Sequence, residues 1–123
     1  MTARSVAYAV TTGLLVVAFT VPGLGNLLRV DHIAHDMAHL GYPAYFMTVL
    51  GTWKVLGAAA VALPGLRRAK EWAYAGMLFD LTGAAASRAF SGDPAPTVVI
   101  PLAIAALAIA SWALRPDGRR LAD

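Results

Sequence analysis

The chain has 123 residues, 59% of them apolar and only 14% charged, which leaves too little polar surface to clothe a water-soluble domain, so lipid is the expected solvent. Lacking cysteine, it can supply no disulfide, thiolate nucleophile, cysteine-held iron–sulfur cluster or thiolate zinc site. The formal charge of +3 gathers at the ends of apolar runs, where it suits anionic headgroups and argues against nucleic acid.

Four apolar runs follow one another, each near the roughly 20 residues that a membrane crossing needs. They predict an all-α fold, an integral membrane four-helix bundle that forms one transmembrane domain over residues 1–123. The first run covers residues 5–28, after Arg4, and ends in Val21-Pro22-Gly23-Leu24-Gly25-Asn26. That stretch predicts a bent or broken helix end. A cleaved signal peptide is the rival reading, but the run is long for one and no A-x-A type of cleavage pattern follows it.

Residues 29–41 are the most polar part of the chain. The second run, 44–63, is introduced by Gly41-Tyr42-Pro43 and closed by Pro64-Gly65, proline suiting a helix start and the pair marking its stop. A basic connector from Leu66 to Lys70 leads into the third run, 71–90, where Glu71 complements the positive end of a helix. The turn from Ser91 to Pro96 breaks helix strongly, and the fourth run covers 97–114, with Pro101 in its first turn. The tail from Arg115 to Arg120 is polar and expected to fray.

The cations orient this arrangement. Arg4, Arg67, Arg68, Lys70, Arg115, Arg119 and Arg120 fall on one side, and Arg29 and Arg88 on the other. Seven against two predicts that the N and C termini are both cytoplasmic. Trp72, Tyr74 and Trp112 fit interfacial anchors on the inner side, Tyr42 and Tyr45 on the outer.

Two charges interrupt the runs. Lys54 and Asp80 each stand nine residues from the expected inner end of their run, roughly 14 Å at 1.5 Å per residue. A charge at that depth usually faces the protein interior and has a partner, so a Lys54–Asp80 ion pair between neighbouring antiparallel helices is expected. Gly51, Gly57 and Ala58 share the face of Lys54, and Gly83, Ala84 and Ser87 that of Asp80; residues so small let two backbones approach closely. One reading of the pair is a clamp, since polar contacts between membrane helices contribute about 1 kcal/mol. In the functional reading it lines a small cavity, with Asp80 as acid or base and Lys54 tuning it. Arg88, two turns beyond Asp80, either snorkels to the interface or adds a cation at the cavity mouth.

If residues 31–39 are helical, His32, His35 and His39 share a face, and His35 with His39 has an i, i+4 spacing that metal sites use. The plainer reading is an interfacial helix with Ile33, Met37 and Leu40 turned to lipid. No metal is therefore assigned, His35 and His39 being the only candidates, and no second histidine faces them from another run to hold a haem.

Several segments carry a family resemblance: Leu50-Gly51-Thr52-Trp53-Lys54-Val55-Leu56-Gly57, then Glu71-Trp72-Ala73-Tyr74-Ala75-Gly76 and Asp80-Leu81-Thr82-Gly83-Ala84. With His39-Leu40-Gly41-Tyr42-Pro43 before them, and Ser111 and Arg115-Pro116 after, they resemble the DoxX-like family of small bacterial membrane proteins over about residues 41–116. The resemblance implies a four-helix, multi-pass protein of the bacterial cytoplasmic (inner) membrane. It implies little about reaction, since most members have no assigned activity. The name-giving relatives are membrane subunits associated with thiosulfate:quinone oxidoreduction, and others are proposed partners of oxidative-stress enzymes. A membrane or peripheral redox protein is the partner this implies. The chain departs from the family at Arg88, where histidine after Ser87 is more usual.

The expected function is binding of a small lipophilic molecule, a quinone being one candidate, by Lys54, Asp80, Arg88, Ser87 and Trp53, with no intrinsic cofactor. Two rivals stand beside it: a membrane enzyme of isomerase or hydrolase type using Asp80 and Lys54 on a lipophilic substrate, and a purely structural or partner-binding subunit. A homo-oligomer fits any of them.

Overall fold

The computed structural model describes residues 2–121. Among these the regular structure is entirely helical: α1 (Ala3–Leu27), α2 (Asp31–His39), α3 (Tyr45–Ala62), α4 (Arg67–Phe90), α5 (Ala95–Ala113) and one 3₁₀ turn, Asp117–Arg119. α1, α3 and α5 are long and apolar enough to cross a membrane. α4 is longer than α3, but Asp80, Arg88 and its basic first turn keep it out of that group.

The Thr2 side chain accepts from the Ser5 amide and so caps α1. Of the bent or broken end expected near Pro22, the break does not occur, and α1 continues through it to Leu27. Proline deprives the Ala18 carbonyl of its helical donor, but tertiary packing holds the turn. A Cβ on Gly51 of α3 would lie 2.7 Å from the Gly23 carbonyl and 3.0 Å from the Leu27 amide. Only glycine permits α1 and α3 to meet this closely. At the end of α1, Arg29 takes a left-handed conformation (φ 52°) and the Val30 amide reaches back to the Gly25 carbonyl at 3.1 Å, a Schellman ending.

α2 ends in the same way at Gly41 (φ 86°) and α4 at Gly92 (φ 73°). α4 starts at Arg67, four residues before the expected position, and α5 at Ala95. Pro101 therefore lies inside α5 rather than in its first turn. α2 also corrects an expectation. Ile33 fills the space over Gly25, and Met37 is buried, so the apolar side of α2 faces the protein and not lipid.

The long helices run up, down, up and down, and the seams α1–α3, α3–α4, α4–α5 and α5–α1 close a ring. Leu15, Phe19, Ala58, Val61, Met77 and Ala108 fill its centre. Ser111 is fully buried there and bonds Thr12 at 2.6 Å and Tyr74 at 2.8 Å, which joins α1, α4 and α5 by hydroxyls with no unsatisfied donor. Tyr74 is thus a core residue and not the interfacial anchor expected of it. Val10, Leu14 and Val17 on α1 and Ile100 and Ile109 on α5 point outward.

The start of α1 and the end of α5 lie at one end of the ring. There the expected frayed tail is instead docked. Arg115 pairs with Glu71, Arg67 donates to the Gly118 carbonyl at 3.2 Å, and Arg119 reaches Tyr8 and the carbonyls of Val61 and Ala62. Lys70, with 0% exposure, donates to the carbonyls of Ala60 at 2.6 Å and of Leu63. Two cations therefore hold the orphan carbonyls at the C-terminus of α3, where the helix dipole also favours positive charge.

Candidate functional site

Two cavities lie one above the other, both bordered by α3 and α4, and the far one is closed further by α1, α2 and α5. The cavity nearer the chain ends encloses about 530 Å³ and the one at the far end about 570 Å³. Leu50, Lys54 and Asp80 border both, so the two charges stand at the junction. No nitrogen–oxygen contact within 4.0 Å joins them among the described residues. The ion pair expected from matched depth is not closed.

The reason is visible in the glycines. Small residues beside Lys54 and Asp80 were expected to draw α3 and α4 together. Gly51 does make a close approach, but to α1; a Cβ on Gly76 or Gly83 would meet nothing within 4 Å, and one on Gly57 only the end of Met77 at 3.7 Å. On this seam the missing side chains leave a hollow rather than a contact.

The far cavity gathers four of the expected site residues, Lys54, Asp80, Ser87 and Arg88. Trp53 borders the other cavity and is 69% exposed. Asp36 and Tyr42, which the sequence did not single out as site residues, join the far cavity. Tyr42 and Ser87 share a hydroxyl hydrogen bond of 2.5 Å, so Tyr42 faces inward rather than anchoring the interface. Arg88 bonds Asp36 at 3.3 Å and Asp93 at 3.1 Å, so its charge is paired. The His39 Nε2–H donates to Asp93 at 2.7 Å. Together these bonds tie α2 to the α4–α5 turn over the cavity mouth. His35 is exposed, and no group of three or more metal-donor side chains forms among the described residues.

The hydrogen bonds from His39 and then Arg88 hold the Asp93 carboxyl below its ordinary value. A carboxylate lowered in this way stabilises the fold above its unfolded pKa of about 3.9, and that contribution fades as pH falls through the folded value. Acidification below about pH 4 is therefore expected to loosen α2 from the α4–α5 turn. Hydrogen-exchange protection of α2, taken relative to the intrinsic rate at each pH, should fall between pH 6 and pH 3 in the natural chain, and Asp93→Asn should be poorly protected at both.

A small all-helical membrane protein with a polar-lined hollow between two helices is the class that this fold and site define. The chain belongs to the DoxX-like family, whose family model matches residues 10–111. No curated protein and no solved structure matches it.

Proposed function

We propose that this protein spans the bacterial cytoplasmic membrane four times, with α1, α3, α4 and α5, and binds a small lipophilic molecule between α3 and α4. Its termini are cytoplasmic, because seven of its cations lie at the end of the ring that carries them. α4 crosses with its polar residues turned to the hollow, the usual place for intramembrane charge.

The observation that carries the reading is the convergence of Lys54, Asp80, Ser87 and Arg88 on a single cavity of about 570 Å³, within the size range of small-molecule sites. A quinone is one molecule of the right class. The open Lys54–Asp80 contact also weighs against a simple clamp, which would need the two charges to touch. Asp80 makes no hydrogen bond to another described side chain, which suits an acid or base and keeps the enzyme reading as the second one.

The test is mass spectrometry of what remains bound after purification in mild detergent. The natural chain is expected to carry a stoichiometric lipophilic compound and Asp80→Asn, equally folded, to lose it. An empty natural chain, or full retention by a folded Asp80→Asn, would remove the site. Turnover of the compound by the purified chain, abolished in Asp80→Asn, would select the enzyme.

A further inference from the structure

We infer that the ligand is a neutral single-chain amphiphile, with its tail in the cavity nearer the chain ends and its head at Lys54 and Asp80. This rests on the ligand site proposed above and adds its chemical class.

The two cavities differ in kind. In the one nearer the chain ends only Lys54 and Asp80 are charged, and the remaining lining is aliphatic, aromatic and glycine, with tryptophan indoles as its one other polar group. Such a space does not hold a water chain, since a buried water needs two to four polar partners. It therefore accommodates hydrocarbon and not a proton path. At the junction the head meets Lys54 and Asp80, one charge of each sign. A head with net charge would stand unbalanced between them at a depth where unmatched charge is costly.

The junction defines the head further. Lys54 offers donors and Asp80 acceptors, and the two are not joined to each other. A neutral group with at least one acceptor and one donor, such as a phenol or alcohol hydroxyl, fits between them. The hollow left by Gly57, Gly76 and Gly83 gives the molecule its room. Trp53 and Trp72 border the tail cavity and are 69% and 75% exposed, so this cavity opens sideways to the bilayer along the α3–α4 seam, and the ligand comes from the lipid.

Native mass spectrometry tests this with three probes of equal chain length, dodecylphenol, dodecanoate and dodecyltrimethylammonium, each offered in excess so that it displaces whatever compound the chain already carries. The natural chain is expected to retain dodecylphenol roughly tenfold more than either charged probe, the ratio that about 1.4 kcal/mol gives. Gly76→Leu puts a side chain into the tail cavity from a position where a Cβ meets nothing within 4 Å and is expected to lose the phenol by a similar factor. Gly57→Leu does the same from α3, with only the flexible Met77 tip to move, and serves if Gly76→Leu does not fold. Gly13→Leu, on an exposed face of α1 with open space around it, should bind as the natural chain does. Preference for a charged probe, or full phenol binding by a folded tail-cavity variant, overturns the inference. If the compound that co-purifies and is lost in Asp80→Asn is charged or has no single chain, the amphiphile is wrong and the site stands; if no probe binds and nothing co-purifies, the site itself fails.

Discussion

Arg115→Ala is expected to lower the stability of the fold by about 3 kcal/mol, the lower part of the range for breaking a buried ion pair. Arg115 is 7% exposed and its guanidinium faces three groups: the Glu71 carboxylate, the Trp112 ring at 5.0 Å and the Tyr74 ring at 5.8 Å. Glu71 also accepts from the Trp112 indole at 3.1 Å. Alanine would strand that carboxylate against the aromatic rings and strip both ring faces of their cation. Because the Glu71 side chain is 28% exposed, solvent softens the loss, hence the lower part of the range. Arg115→Lys should recover less than half, since an ammonium neither forks to a carboxylate nor stacks on a ring. Equilibrium unfolding in mixed micelles measures both variants, and a cost of Arg115→Ala below about 0.5 kcal/mol, the usual size of a surface change, would show that the network is ornamental.

Lys70→Met should cost about 2 kcal/mol for a different reason. Its ammonium is buried with no carboxylate nearby among the described residues and instead serves the carbonyls of Ala60 and Leu63. Methionine keeps the packing volume and removes the donors, leaving buried acceptors unsatisfied. Arg119 serves the neighbouring carbonyls of Val61 and Ala62, so either cation can shift to relieve the loss of the other. The double variant Lys70→Met with Arg119→Ala is accordingly expected to exceed the sum of the singles by about 0.5 kcal/mol or more. Strict additivity would mean that the two cations act on separate sites.

The parts of this structure that were legible in the sequence are those written in local pattern. The helix limits lie within four residues of the ends of the apolar runs, because Pro64-Gly65 and Ser91-Gly92-Asp93-Pro94 stop helix chemically whatever surrounds them. Lys54 and Asp80 border the same junction of the two cavities because depth along a helix follows from counting residues. What was not legible depends on partners distant in sequence. The docking of α2 needs His39 to find Asp93, 54 residues away, and no periodicity encodes that. The same glycine spacing reads as contact or as hollow, and only the neighbour decides: Gly51 meets Gly23, whereas Gly76 and Gly83 meet nothing. The C-terminal tail looks unstructured by composition, yet its arginines find the end of α3. Pro22 shows the converse, a strong local breaker overruled by the packing of the residue after it.

The most direct test of the central claim, an open hollow between α3 and α4 beside Lys54 and Asp80, uses the absence of cysteine from the chain, since any introduced thiol is a unique reporter. Gly83→Cys and Ala108→Cys would each be treated with a small methanethiosulfonate reagent and their rates of modification compared. The account predicts that Gly83→Cys, beside the polar cavity, reacts at least about tenfold faster than Ala108→Cys in the packed core, where burial keeps a thiol inert. Equal rates, with both variants folded, would mean that α3 and α4 are closed against each other and that the site does not exist.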